Sequence, residues 1–429
     1  MRIIYLHQYF ITPDMPGGTR SYEMGRRLTA MGHDVQMVTS DRIADPTTAP
    51  EWRSSDVAGM RVHAFPVPYS NRMPYRERLS AFMRFAWRSA VKAASLGGDV
   101  VFATSTPLTI ALPGSYAAWR SRIPMVLEVR DLWPELPIAV GALSNPASIR
   151  AAEWLERFAY ARSAHIVALS PDMKAGIARI GYPEERVSVI PNACDRELFD
   201  APTDAVRALR RQHDWLGHRP LVVYTGTLGK LNGVSYLADV AAATARIDPE
   251  IRFAVLGDGM EGELVRRRAA ELGVLDRTFF MMGVVPKVAV PRWLGAATFA
   301  TSLFIDLEAM WANSANKFFD ALASGTPVAI NYGGWQAKLL YDTGAGVRLD
   351  ARDAAHAARA LVARIRDEPW IVRAHEAARR LAATRFDRDR LAEQLEQILV
   401  RVARNGRPLS GATPVQHRRT VHMLAKVAT

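Results

Sequence analysis

Cysteine is almost missing from this chain. Among 429 residues only Cys194 is one, so neither an internal disulfide nor a cysteine-rich metal cluster is available, and a reducing compartment is expected. Long apolar runs are missing too. No stretch approaches the roughly eighteen uncharged residues of a spanning helix. The start, Met1 to Phe10, is too short and polar for a signal peptide and reads as a first strand. Acidic residues are in deficit: 43 Asp and Glu face 55 Lys and Arg, giving a net charge of +12 and a pI near 10.0. That balance suits nucleic acid, an anionic membrane surface or phosphorylated substrates. The basic residues form no dense block, and no zinc-finger or RNA-binding module is visible, so nucleic acid is set aside as a partner. No glycine loop carries the dinucleotide fingerprint or the lysine-serine/threonine ending of a triphosphate loop. No metal-ligand cluster is visible, so no metal is expected.

What is present is a globular composition, 49% apolar and 23% charged, long enough for two domains. The first half alternates strands and helices. Arg2–Phe10 reads as a strand, Thr19–Met31 as a helix and Val35–Thr39 as the next strand. Further strands are expected at 99–104, 124–129, 165–170 and 187–192. A second series follows at 221–226, 251–256, 278–283, 298–303 and 327–330, with helices between. Two sets of βα units, each with a glycine loop after its first strand, predict an α/β protein of two doubly wound domains facing across a cleft. The expected boundaries are 1–200 and 201–386, with a linker near 196–219. A last helix is expected over about 387–403 and a basic, poorly ordered tail over 404–429.

The segment Ala315 to Gly325 reads as a helix starting among small polar residues and ending at glycine. Free amides at such a start can hold phosphate oxygens, and Asp320, one turn on, can accept from sugar hydroxyls. A phosphate grip beside a hydroxyl grip is what a nucleotide-sugar site needs. Asn316, Lys317, Phe318 and Asp320 are therefore the candidate donor-binding residues of this helix. Gly17 and Gly18 follow the first strand. Gly226, Thr227, Lys230 and Asn232 follow the first strand of the second half, and Gly257, Asp258 and Gly259 follow its second. Glycines let backbone approach a ligand closely, although plain turns use them as well. Lys230 and Lys317 are candidates to neutralise a diphosphate. Glu128, Arg130, Asp131 and Glu135 crowd a strand end beside Trp133. Arg130 and Asp131 are expected to face the cleft, and Glu128 and Glu308 to lie on the acceptor or sugar side. A structural ion-pair loop is the competing reading for Glu128 to Glu135.

A membrane surface is suggested by Arg72 to Lys92. Arg84, Arg88 and Lys92 share one helical face, with Phe82, Phe85 and Trp87 interleaved and Tyr69 and Tyr75 just before. Trp119, Arg120 and Arg122 extend the patch.

In this order, the loop at 16–18, Glu128 to Glu135, Ile190 to Asp195, Gly226 to Gly233, Gly257 to Gly259, Asn313 to Gly325 and Asn331 to Gln336 resemble the family-4 retaining glycosyltransferases. The likeness covers about residues 1–400. It is nearest to bacterial enzymes of O-antigen, capsule and colanic-acid assembly, similar to N-acetyl-fucosamine transferases. The resemblance implies a GT-B fold and a donor nucleotide mainly on the second domain. It also implies transfer from a nucleoside-diphosphate sugar, expected to be UDP-linked, to a polyprenyl-diphosphate-linked acceptor. The implied address is the inner face of the plasma membrane. Within the resemblance Asp320 matches the second acid of a paired-acid motif, while Ala312 stands where the first belongs. Thr227 and Asn232 stand where an arginine and a lysine are usual, and Arg130 replaces an active-loop histidine. Arg130, Asp131, Lys230 and Lys317 are the implied catalytic set. An epimerase of the same shape and a catalytically decayed binder are the alternatives.

Overall fold

The computed structural model describes residues 1–15, 17–45, 49–69, 73–105 and 107–406. Two parallel sheets organise it. The first holds β1 (Arg2–Leu6), β2 (Asp34–Asp41), β3 (Arg53–Val57), β4 (Met60–Pro66), β5 (Val100–Thr104), β6 (Met125–Val129), β7 (His165–Ala168) and β8 (Val187–Val189). Their order is β3-β4-β2-β1-β5-β6-β7-β8, and only β3 runs antiparallel, paired with β4. The second sheet holds β9 (Leu221–Thr225), β10 (Arg252–Leu256), β11 (Phe279–Gly283), β12 (Phe299–Ser302), β13 (Val328–Ile330) and β14 (Gly346–Arg348). Its order is β11-β10-β9-β12-β13-β14, all parallel. Helices cover both faces of each sheet. The central strands are therefore apolar on both sides: β5, β6 and β10 are buried throughout.

Strand one stops at Leu6, four residues short of the expected end. Beyond it the pairing with β2 persists through His7 N–H to Val38 O and Ser40 N–H to Gln8 O, the Gln8 carbonyl also accepting from the Thr39 and Ser40 hydroxyls, before the chain turns. The β3–β4 hairpin has no counterpart among the expected strands. Its outer strand, Arg-Ser-Ser-Asp-Val, is polar and exposed and carries no apolar period.

The final helix, Arg388–Arg404, crosses back to the first sheet. Leu391, Leu395 and Leu399 enter the core formed by Ile3, Tyr5 and Phe102, and Asp389 and Glu396 pair with Arg27 and His33. Around the base of the cleft the two halves are stitched by polar contacts. Ser170 Oγ donates to Ala312 O at 2.7 Å, Asn192 N to Ser314 Oγ at 3.0 Å and Trp335 N to Asp172 at 2.9 Å.

The helix Tyr75–Leu96 keeps Arg84 and Arg88 of the expected basic face exposed and carries an apolar stripe beside it. Arg84 and Arg88 lie over the ring of Phe65 and Lys92 over Trp52, so the three cations rest on this domain's own aromatics. Phe85 is buried. The apolar stripe is Leu79, Met83, Trp87 and Val91, four residues apart, with Trp87 73% exposed. Trp119, on the neighbouring helix Ala111–Ser121, is 67% exposed. Arg72, the side chain of Tyr75, Pro16 and the basic positions Arg407, Arg418, Arg419 and Lys426 lie outside the described residues. Among the described residues no helix is long and apolar enough to cross a membrane.

Candidate active site

Each sheet reverses its winding once. In the first sheet β1 lies between β2 and β5, and in the second β9 lies between β10 and β12. Loops leaving the carboxyl ends of strands diverge at such a point and open a crevice. Here the two crevices face each other. Between them is a cavity of about 480 Å³, with His7, Gly18 and Arg130 on one wall and Asn232, Phe304 and Ala315 on the other.

On the second domain the helix Asn316–Ala323 begins at the cavity: its N-cap Ala315 lines it, while Asn316, Lys317 and Asp320 stand next to it and are not among the lining residues. Ala315 stands at its N-cap and offers no side-chain cap, so the first amides keep no such partner. Lys317 points from the first turn toward the glycine loop. Its Nζ donates to Tyr224 Oη at 2.8 Å, lies 4.4 Å from the centre of that ring and 5.9 Å from the centre of Phe304. A Cβ on Gly226 would lie 3.6 Å from this ammonium. With its amide oriented to suit both neighbours, Asn232 accepts from Lys317 Nζ at 3.2 Å and donates to Thr227 O at 3.0 Å. Burial pulls the ammonium down to a pKa of about 7. Among the described residues no carboxylate lies within ion-pair distance of it.

Asp320 follows one turn later. Burial raises its pKa to about 7; the charges of Arg388 and Lys287 pull the other way, and Asp195 pushes with burial. No side chain among the described residues hydrogen-bonds its carboxylate. Lys287 also reaches over the cleft, with Nζ 3.4 Å from Thr19 Oγ1. Phe318, expected among the donor contacts, is instead wholly buried against Phe319, and its N–H is spent on Ala315 O.

The glycine loops are packed on one another. A Cβ on Gly257 would fall 1.9 Å from Gly226 O, and one on Gly259 would fall 2.4 Å from Leu228 O. Leu228 N donates to Asp258 O at 2.9 Å. Gly257 and Gly259 thus have a packing reason that needs no ligand, and they stand behind the loop 226–233 rather than on the cavity wall. Asp258 and Lys230 are exposed, and neither lines the cavity. Thr227 contributes its carbonyl, which accepts from Tyr224 Oη at 2.8 Å.

Glu128 departs most from expectation. It is fully buried beneath the first wall, not on the sugar side. Arg20 grips its Oε1 with Nε at 3.0 Å and Nη2 at 2.8 Å, and Thr104 donates to Oε2. Arg20 also donates to Ile190 O and Pro191 O. Burial alone would raise the carboxyl pKa; Arg20, Arg130 and the hydrogen bonds from Arg20 and Thr104 outweigh it and hold it below the ordinary range. The ion pair ties the Gly17–Gly18 loop to the strand end that carries Arg130. Arg130 is half-buried on the cavity wall, its N–H bonded to Ser105 Oγ at 2.9 Å. Asp131 is exposed at the same wall. A Cβ on Gly18 would lie 3.0 Å from Asn316 Nδ2, so the first glycine loop meets the helix start across the cleft. Glu308 is exposed on the turn Glu308–Met310, off the wall. Cys194 is buried at the seam, its thiol donating to Phe319 O at 3.1 Å; burial raises its pKa well above the ordinary value.

Sequence reasoning missed His7, Asn192 and Ser314. They become neighbours of Arg130 and Ala315 only through strand order and domain contact. The signal for His7 was its place directly after the first strand. Among the described residues no group of three or more His, Cys, Asp or Glu is arranged to hold a metal.

Comparisons agree with this geometry. Residues 17–193 match a "Glycosyl transferase 4-like domain" and residues 219–367 match "Glycosyl transferases group 1". The probable glycosyltransferase WbjE of Pseudomonas aeruginosa is 24% identical over 209 residues, which is 48% of this chain and 51% of that protein. The chain thus spans about half the length of that relative. A GDP-mannose-dependent alpha-(1-6)-phosphatidylinositol monomannoside mannosyltransferase of Mycobacterium tuberculosis is 25% identical over 91% of this chain and 97% of its own. The Anabaena HepE structure in complex with UDP and glucose superposes with a TM-score of 0.70 at 17% identity, covering 94% of this chain and 100% of that one. The chain has the GT-B fold and is related, through its two halves, to the glycosyl transferase 4-like and group 1 glycosyltransferases.

Proposed function

We propose that the protein moves a sugar from a nucleoside-diphosphate carrier, UDP-linked, to a lipid-linked glycan acceptor in surface-polysaccharide assembly, with retention at the anomeric carbon. One observation carries the reading. Among the described residues, a lysine without a carboxylate partner stands beside a glycine loop and an uncapped helix start, and an acid that no side chain hydrogen-bonds stands one turn on. The first group suits a diphosphate, and Asp320 suits the ribose hydroxyls. As the glycosidic bond breaks, charge grows on the leaving diphosphate. Lys317 and the amides near 316 then interact more strongly than with the intact donor, which is the condition for catalysis. Closure of the two domains over apolar wall residues such as Ile11 and Met310 would keep water out. Retention is consistent with attack from the leaving-group face, the donor phosphate taking the acceptor proton.

The acceptor would arrive over the first domain. The stripe of Leu79, Met83, Trp87 and Val91 with Trp119 suits an interfacial seat, and the arginines at its edge suit anionic headgroups. In the working test, purified protein is incubated with UDP-sugars and a short-chain lipid-diphosphate-linked sugar, and released UDP is measured. UDP release that depends on the acceptor supports transfer. Hydrolysis without acceptor supports the epimerase reading, and tight donor binding without turnover supports a decayed site.

A further inference from the structure

Among the described residues Arg130 makes no ion pair, and the Glu128 carboxylate acts on it only through its longer-range charge. Glu128, two residues before it, has both oxygens engaged by Arg20 and Thr104. Among the described residues no carboxylate lies within ion-pair distance of the Arg130 guanidinium. Its one side-chain neighbour at hydrogen-bond range is His7, with Nη1 3.5 Å from Nε2. A guanidinium only donates, so Nε2 of His7 accepts and the ring proton sits on Nδ1. That Nδ1–H is buried and has no hydrogen-bond partner among the described residues. Burial first, then the charge of Arg130, lowers the His7 pKa well below its ordinary value, so the ring is a neutral donor. His7 and Arg130 both line the cavity. A half-buried cation beside an unspent N–H is costly unless an acceptor of negative charge arrives.

We propose that Arg130 and His7 form a second anion site on the first-domain wall, which takes a carboxylate or phosphate carried by the transferred sugar or by the acceptor. The site is separate from the diphosphate grip at Lys317. Lys317 is committed to Tyr224 and the Gly226 loop on the second domain, whereas Arg130 and His7 are held by β6, Ser105 and the end of β1. The remaining wall combines apolar residues such as Ile11, Leu136 and Leu169 with neutral amides and one exposed carboxylate, Asp131, so a single anionic group on an otherwise neutral body is the matching chemistry. The assignment rests on the transferase reading and deepens it.

Calorimetry on the full chain separates the sources. UDP, UDP-glucose and UDP-glucuronate are titrated into wild type; glucose and glucose 6-phosphate are titrated into UDP-saturated protein. If GDP binds instead of UDP, GDP-mannose and GDP-mannuronate replace the uridine pair. At least one anionic probe is expected to bind on the order of tenfold tighter than its neutral counterpart. Preference for the uronate places the anion on the transferred sugar, and preference for the sugar phosphate places it on the acceptor. Arg130→Met is expected to erase that preference while weakening nucleoside-diphosphate binding much less than binding of the anionic probes. His7→Asn, whose amide N–H falls near the Nδ1 position, should keep most of the preference, and His7→Phe should lose much of it; thermal midpoints report that each variant is folded. The proposal is overturned if wild type shows no anionic preference, or if Arg130→Met weakens UDP as much as the anionic probes. Binding of no nucleoside diphosphate at all sinks the transferase reading itself.

Discussion

Glu128 and Asp320 are both acids withdrawn from water, one in each domain, and their surroundings have opposite effects. Glu128 has Arg20 and Thr104 on its oxygens and is held below its ordinary pKa. Asp320 has no hydrogen-bonding side chain among the described residues and is pushed up to about 7. The cations differ in the same way: Arg20 is spent on Glu128 and two carbonyls, while Lys317 rests against rings and amides. A charge whose partners are internal holds the fold. A charge left without them is available to a ligand, at some cost to stability.

The largest break in this comparison is expected at Glu128. Glu128→Ala strands Arg20 without a counter-charge and should lower unfolding stability by roughly 3–5 kcal/mol in urea titrations. Replacing the pair together, Arg20→Met with Glu128→Leu, should recover much of it. Equal loss in the single and double variants would show that the pair does not act as a unit.

Asp320→Asn is expected to do the reverse. Its folded pKa lies above the unfolded value near 3.8, so ionisation costs stability as pH rises from that value through 7, and the cost is complete above 7. At pH 8 the amide should therefore hold or raise the thermal midpoint. Donor binding should weaken roughly tenfold to hundredfold, the scale of charged hydrogen bonds. A fall in midpoint with donor affinity intact would make Asp320 another Glu128.

Lys317 sharpens the contrast through pH. Its folded pKa, about 7, lies below the unfolded value near 10.5. The cost of its charge is thus full below 7 and fades as pH rises toward 10.5. A bound diphosphate favours the charged lysine and bound ribose hydroxyls favour the charged aspartate. Donor binding should therefore release protons below about pH 7 and take them up above it. Lys317→Met should abolish the uptake and keep the release. Calorimetry in buffers of different ionisation enthalpy reads both, and uptake persisting in the variant would contradict the assignment.

The smallest effect is expected outside the cleft. Trp87→Ser should leave the fold unchanged and reduce binding to vesicles rich in anionic lipid several-fold, since one large apolar side chain is worth roughly 1.5–3 kcal/mol when fully buried and less at an interface. Co-sedimentation measures it.

The legible parts of the sequence were local ones. The alternating strands, the glycine loops and the helix at 316 follow from short-range pattern, and from them two facing sheets. Pairing was not legible. Nothing in Glu128-Val-Arg-Asp shows that Glu128 meets Arg20 from 108 positions away while its neighbour Arg130 stays open. His7 gained meaning only when β5 and β6 brought Ser105 and Arg130 beside the end of β1. The helix at 75–96 was legible only in part for the same reason. Its basic spacing was visible, but the rings of Phe65 and Trp52 beneath those cations come from other elements. The glycines at 257 and 259 are legible as turns, and the neighbour they make room for is not.

The most direct measurement is calorimetric titration of UDP, GDP and ADP into wild type, Asp320→Asn and Lys317→Met at pH 8. One nucleotide is expected to bind wild type with proton uptake and to bind both variants at least tenfold more weakly, with the folded state of each intact. Equal binding by all three proteins, or by none, would contradict a nucleotide-sugar site in this cleft.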